Sequence, residues 1–213
     1  MPTEHYDERY FKWQKNLGEF GGWANITKFQ KYIKPHFNVV DFGCGGGYLL
    51  KSLDCKGKIG IDVSQKAREQ ANALGINTFA TSNQVEDGWA DVIISDNALE
   101  HCFHPLEELK TLYPKLKHGG RIILVVPCES VRYRYIANDI NHHLYSWSPM
   151  SLGNLFTEAG FVIEESKSYL HKWPKKYRFI ARVGGRRLFD ICCRIYARIE
   201  RSWFQVRIVA RKD

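Results

Sequence analysis

The sequence has 213 residues, of which 44% are hydrophobic, so it can form one domain with a sizeable core and room for an appendage. The N-terminus lacks the features of a signal peptide, and no apolar run reaches the roughly 18 residues of a membrane span, which predicts a protein that is soluble or at most peripheral to a membrane. Six cysteines without a C-x-x-C pair argue against a zinc ribbon or a thioredoxin-like site and indicate a reducing, cytoplasmic compartment.

The net charge of +8 is concentrated at one end of the chain. Residues 167–213 contain 14 Lys and Arg against 3 Asp and Glu, whereas residues 1–166 contain 17 bases and 20 acids. The balance is therefore +11 in the tail and −3 in the body. A basic segment of this kind predicts an anionic partner, with a solvated helix face as the plainer interpretation.

The N-terminal segment, residues 5–34, is rich in aromatic and charged side chains. Three glycines predict that it forms short helices: Gly18, Gly21 and Gly22. We expect residues 1–36 to form a helical lid in which Tyr10 and Trp13 cover a ligand. Ordinary packing of these two rings against the body is the alternative.

Strands and helices alternate from residue 37 onward. The predicted strands are 37–42, 58–62, 77–81, 90–95, 121–127, 161–169 and 203–211, and the predicted helices are 47–53, 64–74, 105–117, 149–159 and 176–201. This order predicts an α/β fold, a doubly wound Rossmann-like domain over 37–213 with a seven-stranded, mostly parallel sheet. The basic helix forms an insert at about 171–202.

The glycine turn at 41–47 follows the first predicted strand. Gly43 and Gly45 match the first two glycines of a dinucleotide-binding G-x-G-x-x-G, but Tyr48 replaces the third, and a phosphate loop with Gly-Lys-Ser/Thr is absent. An acid, Asp41, precedes the turn. The ligand is therefore expected to lack a phosphate and to carry a cationic group near Asp41.

A second acid, Asp62, closes the second predicted strand 19 residues after Gly43. In doubly wound sheets an acid at this place binds the two hydroxyls of a ribose. A ribose joined to a cationic amino-acid portion describes S-adenosylmethionine.

Five motifs in order support this interpretation: DFGCGGG at 41–47, IGIDVS at 60–65, ADVIISDNALEHCFHP at 90–105, LKHGGRIILVVP at 116–127, and H-x-Y-S-W-S-P at 143–149 leading into SLGNLFTEAGF at 151–161. With them, the chain resembles the class I S-adenosylmethionine-dependent methyltransferases, of the small-molecule group that includes ubiquinone and polysaccharide-locus methyltransferases. The resemblance covers about 37–170. It is specific for fold and cofactor and weakly specific for the acceptor.

The resemblance implies a role for each matching residue toward the cofactor. Gly43, Cys44 and Gly45 would lie under its methionine part and Asp41 near its amino group. Asp62 would hold the ribose, and Val63 would line the adenine. Thr81 or Ser82 would sit at the adenine edge, where relatives often have an acid. Ser95, Asp96 and Asn97 would face the methyl group.

For a hydroxyl acceptor a general base is expected, and histidine suits neutral pH. The candidates are His101, His142 and His143, with Tyr145 beside them. A divalent metal on Asp96, Glu100 and His101 is disfavoured, because Glu100 and His101 are adjacent and would point apart on a helix. We predict no metal.

The basic insert is predicted to be an amphipathic helix. Its apolar positions are Leu188, Cys192, Ile195 and Ile199, and its arginines are Arg187, Arg194, Arg198 and Arg201. The arginine face fits an anionic membrane surface, a sugar nucleotide or a lipid-linked saccharide. Nucleic acid is disfavoured, since no RNA-binding module accompanies the helix.

We therefore predict methyl transfer to an oxygen or nitrogen of a small-molecule, saccharide or lipid-linked acceptor. The alternatives are an RNA or protein methyltransferase that docks through the basic helix, and a cofactor-binding regulator without catalysis. The sequence does not identify the acceptor, because the segments expected to form its pocket match the motifs least.

Overall fold

The computed structural model describes residues 8–130, 133–137, 139–201 and 203–213, and it describes side chains from residue 18 onward except that of Trp203. The helices are α1 (Glu8–Phe29), α2 (Tyr48–Lys51), α3 (Gln65–Ala73), α4 (Pro105–Leu112), α5 (Pro149–Glu158) and α6 (Tyr177–Ile199). The strands are β1 (Asn38–Phe42), β2 (Gly57–Ile61), β3 (Asn77–Phe79), β4 (Ala90–Asp96), β5 (Leu116–Glu129), β6 (Val162–Tyr169) and β7 (Trp203–Arg211).

The strands form one seven-stranded sheet in the order β3-β2-β1-β4-β5-β7-β6. β7 runs antiparallel to both of its neighbours, and the other pairs are parallel. The predicted fold is confirmed. The strand order reverses between β1 and β4, and in such sheets the crevice at the carboxyl ends of these two strands is where ligands bind.

The core lies on both faces of the sheet. Val40 and Ile93 belong to one buried cluster and Val39 and Ile94 to another, because successive side chains of a strand point to opposite faces. Burial on both faces explains why the central strands read as unbroken apolar runs.

The N-terminal segment forms one long helix, so the prediction of short helices is wrong. A Cβ at Gly22 would lie 2.5 Å from the carbonyl oxygen of Tyr48, and one at Gly18 would lie 2.4 Å from the Tyr48 ring. The glycines therefore let α1 pack closely against α2 and the glycine turn rather than interrupting the helix. The side chains of Tyr10 and Trp13, expected in a lid, lie outside the described residues.

Strand β5 is longer than predicted at both ends. It begins at Leu116, and its register against β4 shifts between Ala90 and Val92, so that Ala90 pairs with Leu116 but Val92 pairs with Arg121. The helix predicted over 105–117 correspondingly ends at Leu112. At the other end β5 reaches Glu129, and this extension brings a carboxylate to the rim of the sheet.

The helix of the basic insert forms as predicted but buries a different face. Phe189, Cys193 and Ala197 are buried, whereas Leu188, Ile195 and Ile199 are exposed. Gly185 (φ +61°) bends the helix. Among the described residues, no helix combines the length and apolar character that crossing a bilayer requires.

Candidate active site

A cavity of about 590 Å³ opens at the carboxyl ends of β1 and β4. Its walls come from α1, the glycine turn, the ends of β4 and β5, the connection between β5 and α5, and the segment after β6. Of the residues selected from the sequence, eight line it: Asp41, Gly43, Cys44, Gly45, Asp96, Asn97, His101 and His143.

The glycine turn is held by hydrogen bonds to the neighbouring strand and packs closely against Ala98. The amides of Gly43 and Cys44 both donate to the carbonyl of Ile61, at 2.8 and 3.0 Å. Gly43 has φ +76°, and a Cβ there would lie 2.3 Å from the Cβ of Ala98. Only glycine satisfies both constraints, because it alone lacks a Cβ and adopts positive φ without strain. The turn thus presents bare backbone to the cavity.

Asp41 is a buried carboxyl group at the end of β1. Its pKa is raised well above the ordinary value, first by burial and then by the nearby charges of Asp96 and Asp62. A buried carboxylate in such surroundings is stabilised by a cation placed beside it. The site therefore favours a ligand that carries positive charge.

Asp96, at the end of β4, is joined to α1 by an ion pair. The Nζ of Lys28 lies 2.7 and 2.9 Å from its two carboxylate oxygens, and both side chains are largely buried. The next residue, Asn97, has φ +58° and accepts a hydrogen bond from the side-chain amide of Gln205 at 3.2 Å. These contacts fix the end of β4 between α1 and β7 on the cavity wall.

Asp62 braces the glycine turn. One of its carboxylate oxygens accepts from the amide of Gly45 at 2.8 Å and the other from the amide of Ser64 at 2.9 Å. Burial raises the pKa of Asp62 although these two hydrogen bonds and Arg68 act to lower it. Each oxygen keeps a further lone pair for a ligand hydroxyl.

The remaining residues assigned to the adenine side lie beyond the cavity lining. The backbone carbonyl of Val63 accepts from Arg68 at 2.9 Å. The hydroxyl of Ser82 is buried and donates to Glu108, and Thr81 caps the short turn Ser82–Gln84. Val63 directly follows Asp62 in the chain, whereas the hydroxyl of Ser82 is used in its hydrogen bond to Glu108.

Two of the three candidate histidines come together across the cavity. The rings of His101 and His143 stand edge to face with their centroids 5.1 Å apart. The amides of Leu144 and Tyr145 donate to the carbonyl of Glu100, which anchors the connection carrying His143 beside His101. His142 is exposed, has φ +46° and is absent from the cavity lining.

His143 is oriented by a carboxylate. Its Nδ1 lies 2.7 Å from Oε1 of Glu129, the residue that ends β5. Because a carboxylate accepts, Nδ1 carries the proton, and the lone pair of Nε2 remains available. A base held by a third group in this manner is the usual arrangement for proton abstraction.

Glu100 is fully buried beneath the two histidines. Its Oε1 lies 3.9 Å from Nε2 of His101 and 3.9 Å from Nε2 of His143, and neither of its oxygens has a hydrogen-bond partner among the described residues. Burial raises its pKa from 4.5 to about 8. The carboxyl group is thus largely protonated at neutral pH.

Glu100, His101 and His143 place their potential ligand atoms within 4.8 Å of one another. The expectation that Glu100 and His101 point apart is wrong, since Oε1 of Glu100 lies 3.9 Å from Nε2 of His101 within the 3-10 helix Leu99–His101. The prediction that the site holds no metal stays a prediction.

Three residues of this site are missing from the sequence prediction: Lys28, Glu129 and Gln205. Glu129 follows the rule that selected Asp41, Asp62 and Asp96, a polar residue at a strand's carboxyl end, but the strand was predicted to stop at Pro127. Gln205 stands at the start of an antiparallel strand, which enters the sheet from this same edge. Lys28 stands between Thr27 and Phe29 and belongs to none of the motifs.

Comparison with known proteins identifies the family of the chain. A family model described as a methyltransferase domain matches residues 6–166. A tRNA U34 carboxymethyltransferase of Helicobacter hepaticus is 29% identical over 126 residues, covering 48% of this chain and 40% of the relative, so the chain spans well under half of its length. A ubiquinone biosynthesis O-methyltransferase of Rickettsia bellii is 23% identical over 205 residues, and the match covers 79% of this chain and 84% of the relative.

Solved structures share the fold. A methyltransferase of Thermotoga maritima, described as a possible histamine N-methyltransferase, superposes with a TM-score of 0.69 at 18% identity over 99% of both chains. A putative methyltransferase of Haloferax volcanii, solved in complex with the Trm112 methyltransferase activator, superposes with a TM-score of 0.68 at 18% identity over 97% of this chain and 95% of that one.

Proposed function

Because this chain belongs to the class I S-adenosylmethionine-dependent methyltransferases, we propose that it transfers a methyl group to an oxygen or nitrogen of a small-molecule, saccharide or lipid-linked acceptor. The observation that carries the proposal is the pair of His143 and Glu129, which are in contact and line the same cavity as Asp96.

The residues of the cavity fit the cofactor. The buried acid Asp41 suits its amino group, and the bare backbone of Gly43 and Gly45 leaves room for its methionine part. Asp62 lies outside the cavity lining but is hydrogen-bonded to the amide of Gly45, which supports our assignment of its carboxylate to the ribose hydroxyls. In this proposal Cys44 lies under the methionine part with the two glycines, Val63 lines the adenine, and Thr81 or Ser82 lies at the adenine edge. Asp96 and Asn97 face the methyl group. When bound, S-adenosylmethionine supplies an activated methyl group on a sulfonium.

The chain's own contribution is to align the acceptor and to receive its proton. His143 takes the proton on Nε2 while Glu129 holds Nδ1 and stabilises the imidazolium that forms. His101 packs against the His143 ring and limits its rotation. Glu100 lies beneath the two histidines and is protonated. Because its carboxyl group is neutral, Glu100 does not compete with His143 for the acceptor's proton.

The test begins with isothermal titration of S-adenosylhomocysteine, which should bind with its full stoichiometry. Turnover is then measured as S-adenosylhomocysteine released on a panel of phenolic, saccharide and lipid-linked acceptors. With the best acceptor, His143→Gln should lower kcat by at least about a hundredfold without weakening S-adenosylhomocysteine. The matched control is His142→Gln, one residue away and outside the cavity, which should keep the parent rate.

Two results would overturn parts of this proposal. If S-adenosylhomocysteine does not bind, the cofactor site is wrong. If it binds but no acceptor is methylated, the protein is a cofactor-binding regulator rather than an enzyme on these substrates. Equal losses in His142→Gln and His143→Gln would remove His143 from the role of base.

We also propose that the protein sits peripherally at an anionic membrane. The support is the basic face of α6, where Arg187, Arg194 and Arg198 are exposed, together with the exposed Arg201 just after the helix.

A further inference from the structure

Helix α6 exposes apolar side chains along its length. The exposed set is Phe179, Val183, Leu188, Ile191, Ile195 and Ile199. Ile191, Ile195 and Ile199 recur every four residues and are 54%, 53% and 75% exposed. Spacing of this kind lines one side of a helix. An apolar stripe of this length on a surface marks an interaction site.

The stripe is not the face that holds α6 to the domain. Phe189, Cys193 and Ala197 are buried on the inner side, and the first two pack with Ala24 of α1 and neighbouring aromatic rings. Cys193 and Ile195 are two residues apart, so their side chains point in nearly opposite directions on a helix. The inner contacts are therefore complete without the stripe, and its side chains are left facing outward.

Arginines flank the stripe. Those with exposed side chains are Arg178, Arg182, Arg187, Arg194, Arg198 and Arg201, and Lys175 and Lys176 precede the helix. Over residues 171–201, every one of which the structure describes, no exposed acid balances them. Asp190 is turned toward His171 at 3.2 Å, and Glu200 is paired with Lys172. The outer surface of α6 is therefore both apolar and strongly basic.

This combination distinguishes between partners. Nucleic acid is bound by basic side chains and does not need aliphatic ones at the contact. An anionic bilayer can bind both kinds of side chain. Its phosphates attract the arginines, and its acyl chains, which lie deeper, accommodate the isoleucines. A long arginine side chain also reaches the phosphate level while its stem lies along apolar surface.

We propose that α6 lies in the interface of a bilayer containing anionic lipids, with the stripe inserted among the acyl chains and the arginines at the phosphates. This deepens the proposed function and rests on it, because it assigns the acceptor to the lipid-linked class. The helix adjoins the site: Trp173, which lines the cavity, has its ring 5.1 Å from that of Tyr177 at the start of α6. An acceptor held in the membrane would thus be presented beside the cavity.

The experiment is co-sedimentation of the full chain with vesicles of phosphatidylcholine alone or mixed with phosphatidylglycerol. The parent protein should bind the mixed vesicles much more tightly than the neutral ones. Arg194→Gln/Arg198→Gln should weaken this binding by roughly thirtyfold. Ile191→Asn/Ile195→Asn should weaken it by at least about tenfold. The matched controls are Lys51→Gln/Lys56→Gln and Met150→Asn, exposed elsewhere, which should bind as the parent does.

S-adenosylhomocysteine affinity, measured on every variant, separates the two proposals. Intact cofactor binding with no vesicle binding overturns the membrane assignment and leaves the methyltransferase proposal standing. Loss of cofactor binding in an α6 variant would show misfolding, and Ile195→Ser alone then replaces the double variant. If the isoleucine variants sediment like the parent, or if an RNA oligonucleotide binds more tightly than the mixed vesicles, the bilayer is the wrong partner.

Discussion

The two halves of the site are built in different ways. The half that we propose for the cofactor, 41–47 with Asp62, is made of backbone amides, glycines and acids that lie within about twenty residues of one another. The half that we propose for the acceptor, Glu129 and 139–147 with the α6 segment 171–201, is made of side chains brought in from distant parts of the chain. In this proposal short-range geometry determines where the cofactor binds, whereas long-range packing determines what receives the methyl group.

The cofactor half should be the least tolerant of an added atom. Gly43→Ala places a Cβ 2.3 Å from that of Ala98 at φ +76°, so we expect a loss of roughly 3 kcal/mol in stability and no measurable binding of S-adenosylhomocysteine. Urea unfolding and isothermal titration measure the two effects.

The control for this change is Gly75→Ala, which has φ +79° and no atom within 4 Å of the added Cβ. It should cost only about 1 kcal/mol for the positive φ. The double variant Gly43→Ala/Ala98→Gly should recover binding. A Gly75→Ala loss as large as that of Gly43→Ala would mean that backbone strain, not the contact with Ala98, sets the cost.

Asp41→Asn should separate ligand binding from stability. The neutral amide loses its attraction for the cofactor's amino group, so we expect roughly a hundredfold weaker S-adenosylhomocysteine binding. Stability at neutral pH should instead rise, because the raised pKa of Asp41 shows that its ionised form is disfavoured in the folded state. The exposed Asp54→Asn is the control. A fall in both quantities would make Asp41 a structural residue.

Glu129→Gln tests the acceptor half. Because Glu129 acts through His143 as a positioning residue, kcat should fall by about tenfold while KM and S-adenosylhomocysteine affinity are retained. Glu129→Asp should restore part of the rate, and the exposed Glu158→Gln should change nothing. A rise in KM with kcat intact would show that Glu129 binds the acceptor instead of orienting the base.

Glu100→Gln should change the free energy of unfolding only in a pH-dependent way. The pKa of Glu100 is about 8 in the folded state against an ordinary 4.5, so the folded chain keeps a proton that the unfolded chain has lost in this window. The free energy of unfolding of the parent therefore falls as pH rises from about 5 to 8, by on the order of 1 kcal/mol per pH unit.

The Gln variant lacks this slope, so it should match the parent near pH 5 and be the more stable protein near pH 8. Urea midpoints across this range measure the difference, with the exposed Glu107→Gln as control. Stability curves that stay parallel for parent and Glu100→Gln would contradict the assignment.

The same contrast explains which features could be predicted from the sequence and which could not. The alternation of strands and helices and the glycine turn after the first strand depend on neighbours in the chain, and these predictions are confirmed. The pairing of His143 with Glu129 depends on where β5 ends, and the burial of Phe189 rather than Leu188 depends on which side of α6 meets α1. Neither can be read from local spacing.

The wall that α1 provides has a thermodynamic consequence. Lys28 joins this helix to Asp96 inside the cavity, and Gly22 seats it on Tyr48. We expect a ligand in this cavity to bind the form in which the helix is docked, so that its occupancy suppresses the opening of the helix by mass action. Amide hydrogen exchange along α1 should therefore slow as the cofactor saturates the site.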